Sequence, residues 1–518
     1  MSEIMDSKTL KELYETFLLH PHISTDSRKI EPGSLFFALH GEHFDGNQFA
    51  ATALDNGAIL AVVDNPKVIP IIDPEPCSCG HHHHDHALYD EEDEQESYIC
   101  DSHDDTHNDD ENKPKRDPRY ILVPDTLKAL QALAAYHRHE LGVMILAITG
   151  SNGKTTTKEL IGRTLSKKYA TTVTQGNLNN HIGVPLTLLS MTADTDFAVV
   201  EMGASHQHEI ELLCKIAQPD FGLITNIGRA HLEGFGGAEG IRKGKGELLD
   251  YLAANGGTAF YLRDDQTLEG MVNERPDLFA VPYSATQLER DNDGEFIGVR
   301  WEGQTIHSHL VGNYNLNNIA AALAMASYFA VAPEDAVEAI SSYIPDNNRS
   351  QKQVTAHNTL IKDAYNANPS SMQAALENFA TSSSDLPKVV ILGDMAELGS
   401  YSAEEHEQIV TLLQRLNIAE AYLVGEHFSA VLAQHAITSG NSEKTATATP
   451  EFIKTNNADN AHKGSSATSV SDHTSPVFSH FADVEALYSH LESHPLRNRF
   501  ILIKGSRSMH LEKLFDLL

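Results

Sequence analysis

Four features of this 518-residue chain have residue types and spacing suited to chemistry on a nucleoside triphosphate. The first is Thr149-Gly150-Ser151-Asn152-Gly153-Lys154-Thr155-Thr156, which follows an apolar run and precedes a helical pattern through Leu160, Ile161 and Leu165. Glycines let the backbone fold tightly, so that N–H groups and a helix N-terminus turn toward phosphate oxygens. In such a loop Lys154 reaches the terminal phosphates and the Thr155 hydroxyl ligates Mg²⁺. The first glycine of the usual G-x-x-x-x-G-K-[ST] pattern is replaced by Ile148, which leaves a reduced G-x-x-G-K-T form. The second feature is Glu201, directly after Val199-Val200. Ligands of open parallel sheets bind beyond the carboxyl ends of strands. That suits a carboxylate holding the metal of a triphosphate, although a surface carboxylate at a strand end fits equally well. The third is His231, within Thr225-Asn226-Ile227-Gly228-Arg229-Ala230-His231, and the fourth is Lys245, fourteen residues later. Taken alone, that histidine reads as structural and that lysine as a solvated helix charge.

These residues need a scaffold, and the apolar runs supply one. Strands are expected at Val143–Ile148, Phe197–Val200 and Phe221–Ile224, with helical stretches between them. Such alternation indicates a mostly parallel sheet covered by helices. A further αβ pattern starts near Asn347, with strands at Lys388–Leu392, Ala421–Val424 and Phe500–Ile503. The N-terminal stretch carries a short buried strand in Ala58–Asp64, then Tyr120–Val123 and a helical pattern through Leu127, Leu130, Leu133 and Ala134. Three α/β domains are therefore expected, at 1–142, 143–345 and 346–518.

Composition narrows the function. A formal net charge of -34 argues against a nucleic-acid partner, since phosphate backbones need a basic footprint. No apolar run approaches the roughly 20 residues that span a bilayer. The N-terminus lacks a basic region followed by an apolar one, so a cytoplasmic protein is expected, with a monomer as the default. Two segments break the pattern. Residues 73–112 hold 15 Asp/Glu and no Lys or Arg, and about 73–117 reads as an insertion in the first domain. Three of the four cysteines lie there, so a disulfide framework for the body is not expected. Its Cys77-Ser78-Cys79-Gly80-His81-His82-His83-His84-Asp85-His86 run, with Cys100, His103 and His107, offers donors for Zn²⁺ or Ni²⁺. The spacing matches no defined structural zinc site, and a solvated loop is the favoured alternative. About 438–476 is Ser/Thr/Asn-rich and is expected to be a disordered insertion.

Together, the phosphate loop, Glu201, the Asn226 to His231 stretch and the spacing to Lys245 resemble the Mur ligases, ATP-dependent amino-acid ligases of peptidoglycan precursor synthesis. The resemblance extends to Gly312-Asn313-Tyr314-Asn315-Leu316-Asn317-Asn318 and to Arg349. It implies a uridine-nucleotide-binding first domain, a central P-loop parallel-sheet domain and a Rossmann-like C-terminal domain. It implies catalytic roles for Lys154, Glu201, His231 and Lys245. ATP contacts are implied for Thr149 through Thr156, the asparagines Asn315 and Asn318, Arg349 and Asp363. Thr155, Glu201, His231 and a carbamylated Lys245 are implied metal ligands, for two Mg²⁺. Tyr314 stands where the family often has histidine and is left out.

More specific strings point within the family. Thr25-Asp26-Ser27-Arg28, the Phe37 segment and Gly41-Glu42-His43-Phe44-Asp45-Gly46 are similar to the uridine-nucleotide site of its third and fourth ligases. Asp363-Ala364-Tyr365-Asn366-Ala367-Asn368-Pro369, Gly393-Asp394-Met395-Ala396-Glu397-Leu398-Gly399 and Lys504-Gly505-Ser506-Arg507-Ser508-Met509 resemble the fourth. The substrate-binding residues implied are Thr25, Asp26, Ser27, Arg28, Phe37, Gly41, Asp45, Gly46, Asn366 and Asn368. The implied reaction joins D-alanyl-D-alanine to UDP-N-acetylmuramoyl-tripeptide through an acyl phosphate, a step of cell-wall synthesis linked to cell shape and division. The competing expectations are a sister ligase adding a diamino acid, and a metal-responsive binding protein that kept the scaffold but lost catalysis.

Overall fold

In this computed structural model, residues 5–72, 115–291, 296–345, 349–438, 452–453 and 476–518 are described. The chain divides into two compact units, 1–133 and 134–518.

The first unit opens with α1 (Ser7–Leu19), whose N-cap Asp6 accepts from the amides of Lys8 and Thr9. Its sheet is parallel, in the order β1 (Ile23–Ser24), β2 (Leu35–Phe37), β3 (Leu60–Val63), β4 (Tyr120–Leu122). Every residue of β2 and β3 is buried, as expected of parallel strands covered on both faces. Helix α2 (Ala50–Asp55) packs Ala50, Ala53 and Leu54 against Phe36, Ala61 and Val63. A hairpin pairs His40–Gly41 with Phe44–Asp45. Ile71–Ile72 and Lys115–Arg116 pair antiparallel at the base of the acidic segment. The segment itself, with the Zn²⁺ or Ni²⁺ donors expected between 77 and 107, lies outside the described residues. The division between units falls inside α3 (Thr126–Leu141).

In the second unit, six parallel strands run β5 (Met144–Thr149), β6 (Thr171–Val173), β7 (Phe197–Glu201), β8 (Phe221–Ile224), β9 (Thr258–Leu262) and β10 (Phe279–Tyr283). Their spatial order is β6-β7-β5-β8-β9-β10, so β5 lies between β7 and β8 where the strand order reverses. Helices α4 (Lys154–Leu165), α5 (Ala238–Asn255) and α6 (Asn315–Tyr328) belong to this layer. Strands β6, β9 and β10 were not expected from the sequence. Short, mixed segments such as Thr171-Thr172-Val173 lack a continuous apolar run, and β10 is an edge strand with Phe279 exposed.

A second sheet has the order β11 (Gln351–Val354), β12 (Thr359–Asp363), β17 (Phe500–Lys504), β13 (Lys388–Gly393), β14 (Glu420–Val424), β16 (Val477–Phe481), β15 (Phe452–Ile453). The five inner strands are parallel, and the two edge strands β11 and β15 are antiparallel. Successive residues of a strand face opposite sides. Val390 and Leu392 accordingly join one core with Met372, Leu376 and Phe379 of α7 (Pro369–Thr381), while Val389 and Ile391 join the other. Leu232 and Phe235, from the short helical turn Leu232–Phe235 that follows β8, belong to the first of these cores. Strand β15 lies within 438–476, where composition predicts disorder; the rest of that segment apart from its ends is outside the described residues.

Candidate active site

The phosphate loop follows β5, and its shape is fixed by the loop after β8. Gly150 has φ +139°, and a Cβ there would lie 2.0 Å from Thr225 Oγ1, so glycine is required. Gly153 has φ +79° and caps α4; a Cβ would lie 2.8 Å from Asn318 Oδ1. The Ser151 amide donates to the Asn226 carbonyl at 3.0 Å. The Asn152 amide donates to Asn226 Oδ1 at 3.1 Å, and Thr225 Oγ1 donates to the Asn152 carbonyl at 2.6 Å. Thr149 Oγ1 donates to the Met202 carbonyl at 2.8 Å. These bonds preorganise the loop before any phosphate is bound. Lys154 Nζ donates to the carbonyls of Gly150 at 2.7 Å and Ser151 at 3.3 Å. Desolvation lowers its pKa from the ordinary lysine value, and Glu201 opposes that.

Glu201 ends β7 with its side chain buried. Oε1 accepts from Asn179 Nδ2 at 2.7 Å, whereas Oε2 is buried without a hydrogen-bond partner among the described residues. An orphaned carboxylate oxygen of this kind fits a cation-binding role. Of the two readings open for Glu201, the surface carboxylate is thereby excluded. Lys245 is also buried, contrary to the solvated helix charge that spacing alone suggested. Its Nζ donates to the Ala204 carbonyl at 3.1 Å and lies 5.0 Å from the centroid of the Phe235 ring. Burial pushes its pKa well below the ordinary lysine range; the Lys154 charge acts the same way, while Glu209 and Glu247 oppose. His231 sits at φ +55° and is hydrogen-bonded through Nδ1 to Glu397 Oε2. That bond holds the Glu397 carboxyl below its usual pKa. Among the described residues, no group of three or more His, Cys, Asp or Glu gathers as a metal site.

Residues of the second sheet complete the same cavity, of about 840 Å³. Ser151 through Thr156, Glu201, His231, Asn315, Asn318, Arg349, Asp363, Asn366 and Asn368 all line it. Thr149, Gly150 and Lys245 do not, although Lys245 ends on the carbonyl of Ala204, which does. Asn315 and Asn318 are largely engaged in packing α6 onto α4. Asn318 Oδ1 accepts from Thr157 at 3.0 Å, and its Nδ2 donates to Asn315 Oδ1 at 2.7 Å. Arg349 stacks on Tyr365, with Cζ 3.8 Å from the ring centroid, and its Nε is buried without a partner.

Asp363 accepts from Lys504 Nζ at 2.7 Å and from the Ser350 amide at 3.1 Å. Lys504, nearly fully buried at the end of β17, is a site residue that the sequence alone does not single out. Its place beside Asp363 depends on strand pairing across 141 residues, which the Lys504-Gly505-Ser506 string does not reveal. Tyr314, also left out, lines the cavity, and its hydroxyl is hydrogen-bonded to Ser350 Oγ at 2.6 Å. Burial raises its pKa.

The remaining expected substrate residues lie in the first unit. Asp26 and Arg28 pair with each other through two bonds of 2.9 Å, and the arginine holds the Asp26 pKa at about 2. Thr25 precedes this pair and Ser27 lies between its two residues; Arg28 is exposed and the other three are partly buried. Asp45 accepts from the Asn47 amide at 2.9 Å between Gly41 and Gly46, whose added Cβ atoms would meet Phe44 and the Leu39 carbonyl. Phe37 is fully buried in the core of this unit, so it does not present the ligand-facing surface expected of it.

Comparison with known proteins agrees with this architecture. The family model for the Mur ligase middle domain matches residues 148–326, that for the glutamate ligase domain 348–507, and that for the Mur ligase family catalytic domain 21–138. The UDP-N-acetylmuramoyl-tripeptide--D-alanyl-D-alanine ligase of Bacillus subtilis (strain 168) is 29% identical, covering 99% of this chain and 96% of its own. Its counterpart in Escherichia coli (strain K12) is 31% identical over 82% of this chain and 85% of its own. A crystal structure of MurF from Acinetobacter baumannii superposes with a TM-score of 0.72 at 27% identity, covering 99% of this chain and 98% of that one. On the site geometry and these matches, the chain belongs to the Mur ligase family.

Proposed function

We infer that this protein is an ATP-dependent ligase that joins D-alanyl-D-alanine to UDP-N-acetylmuramoyl-tripeptide, giving the pentapeptide precursor of peptidoglycan. The observation that carries this reading is the match over 99% of the chain to a relative named for that activity. The preorganised phosphate loop facing residues of the second sheet across one cavity supports it. A carboxylate oxygen of the tripeptide attacks the γ-phosphorus as its bond to the β-phosphate oxygen breaks, and ADP leaves. The dipeptide amine then attacks the acyl carbon, gives up a proton, and inorganic phosphate departs.

Positioning and charge neutralisation dominate such transfers. The loop amides and Lys154 hold the phosphates, while Arg349 faces them from the C-terminal domain. Thr155 and the unpaired oxygen of Glu201 would hold Mg²⁺, which neutralises phosphate charge when bound. A neutral Lys245 amine can attack CO₂ and lose a proton, and the resulting carbamate anion would act with His231 near a second cation. Asn315 and Asn318 lie in the wall expected to meet the nucleotide. The uridine end is assigned to the first domain, through Thr25-Asp26-Ser27-Arg28 and Gly41 to Gly46. The domain limits near 142 and 345 stand as part of this reading. ATP dependence is in keeping with the expected cytoplasmic location.

The test is phosphate release from ATP and UDP-tripeptide ending in lysine or diaminopimelate, with either D-alanyl-D-alanine or a diamino acid as acceptor. Release only with the dipeptide is expected. Release only with a diamino acid would transfer the chain to a sister ligase, and none with either would leave a binding protein.

A further inference from the structure

Arg349 stacks on Tyr365, and its buried Nε has no partner among the described residues. The residue that follows it is held in an unusual way. Ser350 is buried and sits at φ +49°, a left-handed conformation that residues other than glycine adopt only where their surroundings impose it. Two bonds impose it here. The Ser350 amide donates to Asp363 Oδ1 at 3.1 Å, and Asp363 is itself fixed by Lys504 at 2.7 Å. The Ser350 hydroxyl is hydrogen-bonded to the hydroxyl of Tyr314 at 2.6 Å. The two anchors belong to different layers. Asp363 ends β12 of the second sheet, whereas Tyr314 precedes α6, which covers the first.

The chain around Tyr314 accommodates this contact. Gly312 has φ +92°, and a Cβ there would lie 2.5 Å from the Tyr314 ring, so only glycine leaves room for it. Burial raises the Tyr314 pKa, which keeps the phenol protonated and able to donate. Tyr314, Arg349, Ser350 and Asp363 all line the main cavity. A phenylalanine would fill the same space as Tyr314, so what the tyrosine adds is the bond to Ser350. We propose that Tyr314 is a positioning residue for Arg349: its hydroxyl holds Ser350 in the left-handed turn that aims the neighbouring guanidinium at the phosphates of ATP. The assignment rests on the ATP-dependent reading above. It adds that nucleotide affinity depends on one hydroxyl pair joining the two layers.

The experiment measures binding of a non-hydrolysable ATP analogue with Mg²⁺, by calorimetry, to the full-length protein and its variants. Tyr314→Phe should bind the analogue roughly 3- to 10-fold more weakly, the size of one neutral hydrogen bond. Ser350→Ala approaches the same bond from its other end and should lose about as much. The two substitutions together should lose no more than either alone, because they remove one shared interaction. The decisive comparison is made in Arg349→Ala, where adding Tyr314→Phe should weaken binding no further. A residue that served only to pack α6 would show no such dependence on Arg349. If Tyr314→Phe binds the analogue as tightly as wild type, the positioning role is refuted. It is refuted equally if Tyr314→Phe costs the same factor with and without Arg349, since Tyr314 would then meet the nucleotide itself. If wild type does not bind the analogue at all, the ATP-dependent reading falls first and this assignment with it.

Discussion

Asn368 Nδ2 donates to Asn152 Oδ1 at 2.8 Å, which ties the first turn of α7 to the phosphate loop 216 residues earlier. The same Asn368 caps α7, since its Oδ1 accepts from the Ser371 amide at 2.9 Å. One side chain therefore ends a helix of the C-terminal sheet and touches the loop that is to hold ATP. Arg229 reinforces the contact. Its amide donates to Ser370 Oγ at 2.8 Å and its guanidinium pairs with the buried Glu405 at 3.0 Å.

The two duties of Asn368 separate by substitution. Asn368→Ala loses the cap and the bridge, and should cost about 1 kcal/mol of stability. Asn368→Asp keeps a capping oxygen but sets a negative charge beside the phosphate loop. Its unfolding midpoint should stay near wild type while its KM for ATP rises. Urea denaturation and ATP titration of both variants check this. Equal destabilisation of the two, or an unchanged KM in Asn368→Asp, would refute the division of roles.

In the first unit, His40 Nε2 is hydrogen-bonded to Asp64 Oδ1 at 2.9 Å, and Asn47 donates to the same oxygen at 2.7 Å. The Asp64 carboxylate raises the His40 pKa above 6.5. A histidine whose folded pKa is raised contributes stability that is complete below its unfolded pKa and lost as pH climbs through the folded value. His40→Gln should therefore destabilise the protein more at about pH 5.5 than at about pH 8.5, on either side of the unperturbed histidine value. The half-exposed ring limits the size of the effect through solvent screening. Unfolding midpoints of wild type and variant at the two pH values decide it; an equal loss at both would show that the pair contributes no pH-dependent stability.

Long apolar runs made much of this fold legible. The run Phe221–Ile224 appears as a strand with those same limits, and Lys388–Leu392 extends by one residue in the structure. The phosphate loop was readable because its glycines answer to local backbone geometry. Burial of Glu201 and Lys245 was not readable, because it depends on what packs over a strand end and a helix face. The Lys504–Asp363 pair escaped for a related reason, since parallel strands bring together residues far apart in sequence. Edge strands such as β10 and β11 carry exposed, mixed residues and leave no clear period.

Lys245 bears on the chemistry most directly. A fully charged ammonium enclosed by Phe235 and a single carbonyl would be costly to bury. Burial lowers its pKa and so favours the neutral amine, the form that reacts with CO₂. Lys245→Ala should lose activity on the order of 100-fold or more, as when one charge-stabilising group is removed from an active site. Short carboxylic acids such as formate or acetate, able to enter the vacated space with an anionic oxygen pair, should restore part of it. Wild type should respond to bicarbonate after CO₂ is removed at low pH, whereas the alanine variant should not. Phosphate release with and without each additive is the measurement. Full activity of Lys245→Ala without any additive would remove this lysine from the site.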